Sequence, residues 1–222
     1  WINIEKKSSK LTIIRSKAFA SDRKSFIKKI THYLVFMISA IINSKKVKYF
    51  DILIISSPPL FTGAIGLFLS RFRKKYWLDI RDLWPDSALE LNQINKGFFY
   101  KIGKKLELLI YRNAKGFIFP VPAFRAYLKQ FSEPVSQKSM FELMNGVSFE
   151  FTSKSSHLDY YPYQNFTVLY SGNMGLAQDL KTIIKAADIL KKFNIDFRFV
   201  GNGVCKKEIK NLAKPLSEKI FF

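Results

Sequence analysis

Two stretches of this 222-residue chain carry residue types whose spacing suits chemistry. Arg81-Asp82-Leu83-Trp84-Pro85-Asp86 sets an always-charged guanidinium, two carboxylates and an indole in one short run. A guanidinium can clamp a phosphate through two parallel N–H bonds, and Asp82 can orient a hydroxyl or accept its proton. The same spacing also fits an Arg81–Asp82 or Arg81–Asp86 ion pair closing a structural turn. The second stretch runs Val168-Leu169-Tyr170-Ser171-Gly172-Asn173-Met174-Gly175-Leu176-Ala177-Gln178-Asp179 and reads as a buried strand, a glycine turn and a helix start in direct succession. Unpaired N–H groups and the positive end of a helix dipole at such a turn can hold a diphosphate. A tight loop that binds nothing has the same pattern, because the glycine spacing matches neither phosphate-loop signature.

Both stretches need a scaffold, and the apolar periodicity supplies one. Short apolar strands at 11–15, 51–56, 76–80, 116–119, 140–144, 166–170, 196–200 and 219–222 alternate with helical patterns at 25–45, from Pro59 to about residue 72, 96–113, 122–131, 180–193 and 206–212. Such alternation predicts βαβ units and an α/β fold built on parallel, doubly wound sheets. The strand at 51–56 is nearly continuous in apolar character, as in a sheet covered on both faces. Gly63 and Gly66 permit close packing of the helix that follows. Leu180, Ile183, Ile184, Ala187 and Leu190 define one helix face, with Asp179 as its expected N-cap and Lys181, Lys185, Lys191 and Lys192 outside it. The polar stretch 152–163 reads as a linker. It divides a Rossmann-like domain over 1–150 from the start of a second over 166–222, with 151–165 between them.

In open parallel sheets, ligands bind beyond the carboxyl ends of the strands. That rule selects Ser56-Ser57, Arg81-Asp82, Asn145-Gly146, the loop 171–175 and Gly201-Asn202-Gly203.

Composition narrows the partners. Apolar residues make up 48% of the chain, which places it among folded proteins. The net charge of +20 is concentrated in residues 1–150, which carry +15. Such a field suits an anionic partner: nucleic acid, acidic headgroups or phosphorylated substrates. The single Cys205 excludes an internal disulfide, and His32 and His157 form no cluster at metal-ligand spacing, so neither a metal nor another cofactor is expected. The apolar runs at 33–42 and 60–69 are about half the length of a membrane span. The helix at 25–45 has one broad apolar face with Lys28 and Lys29 at one end and Lys45, Lys46 and Lys48 at the other, a pattern shared by core-packed and membrane-lying helices. The first residue, Trp1, and the strand-like end at Phe222 suggest a fragment.

At Ser56-Ser57-Pro58-Pro59-Leu60-Phe61, Arg81-Asp82-Leu83-Trp84-Pro85-Asp86-Ser87, Asn145-Gly146-Val147, Tyr170-Ser171-Gly172-Asn173-Met174-Gly175 and Val200-Gly201-Asn202-Gly203 the chain resembles the family-four glycosyltransferases. The resemblance is to the subgroup that builds bacterial capsule and O-antigen polysaccharide, including fucosamine transferases. It implies a GT-B fold, with an acceptor-binding domain and a nucleotide-sugar-binding domain facing across a cleft, the second truncated here. The implied reaction is metal-independent sugar transfer with retention, from a nucleotide-diphosphate sugar to a lipid-diphosphate-linked glycan, at the inner face of the cell membrane. Carried over by position, Arg81 and Asp82 become the catalytic pair. Ser171, Gly172, Asn173, Gly175, Gln178, Gly201 and Gly203 become the donor side, Ser56, Ser57, Trp84 and Asp86 the acceptor side, and Asn145 and Gly146 the interdomain connection.

This chain departs from the family in three ways. Arg81-Asp82 stands where many members have His-Asp. Asn173 and Gln178 replace the Arg and Lys that grip the diphosphate, which transfers that task to backbone N–H groups. The family's paired glutamates and first glycine loop have no counterpart between Trp1 and Phe222, so the chain alone is expected to bind donor poorly and to be inactive. Two other classes compete: a basic nucleic-acid-binding protein, disfavoured by the lack of any RNA- or DNA-reading motif, and a non-catalytic membrane-surface scaffold.

Overall fold

A computed structural model describes residues 3–18, 26–47, 49–72, 75–149 and 165–222, and the chain separates into two compact units, Trp1–Gly146 and Val147–Phe222. The expected linker falls almost wholly outside the described residues.

In the first unit, strands β3 (Leu53–Ser57), β4 (Tyr76–Ile80), β5 (Gly116–Phe119) and β6 (Ser139–Glu142) form one sheet in that order, every pair parallel. Helices α2 (Leu60–Phe72), α3 (Asp86–Glu90), α4 (Phe98–Asn113) and α5 (Ala123–Lys129) make the crossovers. The order advances in one direction, as in each half of a doubly wound sheet. The central strands carry the core: Tyr76, Leu78, Phe117 and Phe119 are fully buried with Ile110 and Leu128. The two glycines of α2 act as expected. A Cβ on Gly63 would stand 2.8 Å from Ile110 Cδ1, and one on Gly66 would stand 3.0 Å from the Tyr76 ring. Their absence lets α2 lie directly on α4 and β4, where Tyr76 Oη also donates to Ile110 O at 2.7 Å. Lys138 donates to the carbonyls of Tyr111, Arg112 and Ala114 and so closes the C-terminal end of α4.

The strand expected at 11–15 lies outside this sheet. It pairs as β2 (Thr12–Arg15) with β1 (Asn3–Lys6) in an antiparallel hairpin absent from the sequence reading. Helix α1 (Phe26–Ser44) follows and exposes Leu34, Ile38 and Ile42 in a single stripe.

The second unit repeats the parallel order with β7 (Phe166–Ser171), β8 (Ile195–Val200) and β9 (Ile220–Phe221), connected by α6 (Leu180–Ile189) and α7 (Lys206–Ala213). Leu180, Ile184 and Ala187 are buried as the helical spacing predicts, against Met174, Phe197, Phe199 and Ile209. Helix α6 ends at Ile189, earlier than expected, because Asn194 must already offer its carbonyl to the Phe166 N–H at 3.1 Å for β7–β8 pairing to begin.

Two strands read as buried are edge strands in the described structure. Ile54 of β3 is 55% exposed, and Phe166 and Leu169 of β7 are 72% and 62% exposed. Only one face of each is packed, which a continuous apolar run does not reveal.

Candidate functional site

In the first unit, the polar strand ends meet. Arg81 immediately follows β4, and its backbone N–H donates to Ser57 O at 2.7 Å, which locks the two strand ends together. Its side chain pairs with neither Asp82 nor Asp86, the partners considered from sequence. Nε instead lies 2.8 Å from Oδ1 and 2.9 Å from Oδ2 of Asp79, and Nη1 donates to Asn145 Oδ1 at 2.5 Å. Asp79 is 6% exposed, and it also accepts from Ser56 Oγ at 2.7 Å. Residues from three strand ends thus converge on one guanidinium that remains 39% exposed at its side chain.

Asp79 is absent from the sequence reading, yet a signal for it exists. A carboxylate inside the apolar run Tyr76-Trp77-Leu78-Asp79-Ile80 requires a partner, and Arg81 lies two residues on, on the same face of an extended segment. Asp82 is half-buried, and among the described residues no hydrogen-bond or ion-pair partner meets its carboxylate. It remains free to orient a hydroxyl or take a proton.

Trp84 and Asp86 have structural surroundings. The Trp84 ring packs against Gly103 of α4, where a Cβ would stand 3.1 Å from Cζ3. The Asp86 carboxylate accepts from Tyr100 Oη at 2.7 Å, Tyr127 Oη at 2.7 Å and Lys104 Nζ at 3.0 Å. Lys104 also pairs with the wholly buried Glu107 at 2.5 Å, to which Tyr127 Oη is 2.8 Å distant. Burial opposes ionisation of Asp86, but its three donors prevail and hold its pKa below the usual value. For Glu107 burial prevails over the Lys104 interaction and raises the pKa. This cluster pins the segment carrying Arg81 and Asp82 to α4 and α5. Asp86 apart, the i,i+3 spacing of Lys104 and Glu107 is its only trace in the sequence.

In the second unit, the two glycine loops are joined by main-chain bonds. Gly172 N–H donates to Val200 O at 2.9 Å, Met174 N–H to Asn202 O at 2.8 Å, and Cys205 N–H to Met174 O at 2.9 Å. A Cβ on Gly201 would overlap Gly172 O, and one on Gly203 would overlap Met174 O. These glycines are required by the contact between loops, a reason beyond any ligand. Tyr170 Oη adds a bond to Asn173 O at 2.6 Å.

The expectation that this turn offers unpaired N–H groups is therefore corrected at three residues, Gly172, Met174 and Gly175. The Gly172 amide is already bonded, and Gly175 N–H donates to Gln178 Oε1 at 3.1 Å. Gln178 Oε1 also lies 3.5 Å from Asn173 Nδ2, so these two side chains support the loop from within. The helix does not begin directly after the glycines. A 3₁₀ turn, Leu176–Gln178, intervenes, and Asp179 adopts φ 40°, ψ 50° without capping the α6 backbone through its side chain. Its carboxylate accepts from Thr182 Oγ1 at 2.7 Å instead. Left-handed backbone at Asp179 turns the chain where a simple N-cap would continue it.

Ser171 and Asn173 are exposed, and beside the second loop Lys206, Lys207, Lys210 and Lys214 line an open concavity of about 540 Å³ with Asn202, Gly203 and Asn211. No carboxylate lines it. Lys206 Nζ donates to Gly201 O at 2.8 Å. Positive charge missing at Asn173 and Gln178 is thus available one strand away. Among the described residues no three His, Cys, Asp or Glu side chains converge as a metal ligand set.

No protein-family model and no curated protein matches the chain. Among solved structures it is similar to a point mutant of S. aureus TarM in complex with fondaparinux, alpha-GlcNAc-glycerol and UDP, at 19% identity and a TM-score of 0.43. The likeness covers 72% of this chain and 36% of that one, so the chain spans about a third of that structure's length. Here the fold rests on the chain's own strand order.

Proposed function

We propose that the protein is part of a retaining GT-B glycosyltransferase of surface polysaccharide synthesis. The nucleotide-diphosphate sugar would be held by the second unit and a lipid-diphosphate-linked glycan by the first. The observation that carries the reading is that five motifs scattered along the sequence collapse into two clusters. Ser56, Arg81 and Asn145 meet at the strand ends of one unit, and the loops at 171–175 and 201–203 interlock in the other.

In this reading Asp82 is the free carboxylate that handles the acceptor hydroxyl, and Arg81 supplies donors to substrate oxygens. Ser57 and Trp84 shape the acceptor side, and Asp86 fixes the loop between them. On the donor side Ser171, Asn173 and Lys206 face the phosphates, while Gly172, Gly175, Gln178, Gly201 and Gly203 set the loop geometry. The Leu34, Ile38 and Ile42 stripe of α1, with Lys28, Lys45 and Lys46 nearby, fits a helix lying on an anionic inner membrane face, as a peripheral cytoplasmic enzyme requires. No helix among the described residues is long and apolar enough to cross a membrane.

The test is transfer by the full-length gene product. A panel of nucleotide-diphosphate sugars is offered with a lipid-diphosphate glycan in anionic vesicles, with and without EDTA. The expected result is EDTA-insensitive transfer with the donor's anomeric configuration kept. Inversion, or no transfer and no binding of any nucleotide, contradicts the reading. A second reading, binding of nucleic acid, is favoured by the lysine-lined concavity alone. A bandshift with random oligonucleotides that survives physiological salt supports it.

A further inference from the structure

We infer that Asp79 is a positioning residue whose buried carboxylate fixes the direction of the Arg81 guanidinium and cancels its charge. Arginine has five N–H donors in a rigid plane. In Arg81 the Nε–H donates to Asp79 Oδ2, with Oδ1 at ion-pair distance but without a hydrogen bond of its own, and one Nη1–H is taken by Asn145. Three donors remain, and among the described residues none has an acceptor. They sit at the mouth formed by the ends of β3 and β4, next to the unpartnered Asp82.

The arrangement rises from the backbone. Asp79 is the penultimate residue of β4 and shares its face with Arg81, two residues on. It lies opposite Ser56 in the β3–β4 register, which explains the Ser56 hydroxyl bond to Oδ2, the same oxygen that accepts from Arg81 Nε. A carboxylate 6% exposed is costly unless paired and hydrogen-bonded, so Asp79 and Arg81 hold each other in one rotamer each.

The charge balance has a consequence for the ligand. Asp79 neutralises Arg81, and Asp82 adds one negative charge, so the mouth is net negative although the chain is strongly basic. Oriented N–H donors on a neutralised guanidinium suit the oxygens of an uncharged polyhydroxyl group. A phosphate there would meet the field of Asp82 without an uncompensated cation. The diphosphate therefore belongs elsewhere, and this strand-end mouth takes the hydroxyl-bearing part of a substrate. This inference rests on the glycosyl-transfer reading for its ligand, while the positioning itself is independent of it.

The experiment follows the Arg81 Nε–Hε resonance by NMR in the full-length gene product, together with transfer kinetics. Asp79→Asn keeps the size of the side chain and removes its charge, and Ser56→Ala is the milder variant should the first fail to fold. The expected result is at least tenfold faster Nε–Hε exchange in Asp79→Asn and a smaller acceleration in Ser56→Ala. With transfer, kcat falls at least tenfold with KM for the nucleotide sugar little changed, and Asp79→Asn added to Arg81→Lys costs nothing further. Inorganic phosphate and methyl glucoside serve as probes: methyl glucoside should shift the Arg81 resonance, and phosphate should do so only in Asp79→Asn. Unchanged exchange in both variants, additive kinetic losses, or a phosphate shift in the wild type overturns the inference. If no variant transfers sugar but the exchange behaviour is as expected, the functional reading fails and the positioning role stands.

Discussion

The two units build their strand-end sites from different materials. In the first, beyond the main-chain bond from Arg81 to Ser57, the ends of β3, β4 and β6 are tied by side chains: Ser56, Asp79, Arg81 and Asn145, with the Asp86, Lys104, Glu107 and Tyr127 cluster behind them. In the second, the ends of β7 and β8 are tied mainly by main chain, with Tyr170, Gln178 and Lys206 adding side-chain bonds, and glycine is required where a Cβ would overlap a carbonyl of the facing loop. A site built of buried charges is sensitive to the loss of any single partner. One built of backbone bonds tolerates polar substitutions but not an added methyl group.

That contrast can be broken by mutation, and the largest effect belongs to the buried cluster. Lys104→Met leaves Asp86 and the wholly buried Glu107 without their cation, and the expected loss is about 3–5 kcal/mol. Urea unfolding monitored in each unit separately checks it, with the second unit unchanged. Gly201→Ala forces a methyl group onto Gly172 O, with an expected loss of about 3 kcal/mol confined to the second unit. Equal damage to both units by either variant would dissolve the distinction. Gln178→Ala is the milder case. It frees the Gly175 N–H, and a loss of about 1 kcal/mol with unchanged exchange at Gly172 is expected.

The smallest effect is in pH dependence. Burial raises the Glu107 pKa above its ordinary value of 4.5, so the folded state holds the proton more tightly than the unfolded one. Its contribution is fully present below pH 4.5 and is lost as pH rises through the folded value. Glu107→Gln should remove that falling slope from the first unit alone, which unfolding curves between pH 4 and 7 will show. Asp86, whose pKa is lowered, acts in the opposite sense and only below its ordinary value of 3.8.

The same contrast explains what the sequence made legible. Helical and strand periodicity identified the β3–α2–β4 and β7–α6–β8 units, and Gly63 and Gly66 were read correctly because a helix-interior glycine has few other reasons. Arg81, Asp82 and the glycine loops were visible as polar groups at predicted strand ends. The partners were not. Asp79 was hidden inside an apolar strand, Lys104 and Tyr127 meet Asp86 from two helices, and the hydrogen bonds between loops involve amides that every residue possesses. Of the β1–β2 hairpin only the second strand was legible, at 11–15, because Asn3-Ile4-Glu5-Lys6 holds a single apolar residue and so shows no strand pattern. Edge exposure of β3 and β7 depends on strand order, which local pattern does not encode.

Amide hydrogen exchange across 171–178 and 200–205 in the full-length gene product, with and without each of the common nucleoside diphosphates, tests the central account most directly. Gly172 and Met174 should already exchange slowly without ligand, and a bound nucleoside diphosphate should add protection at Asn173, Leu176 and Ala177. Fast exchange at Gly172 and Met174 in the free protein, or no protection by any nucleoside diphosphate anywhere in these loops, would contradict it.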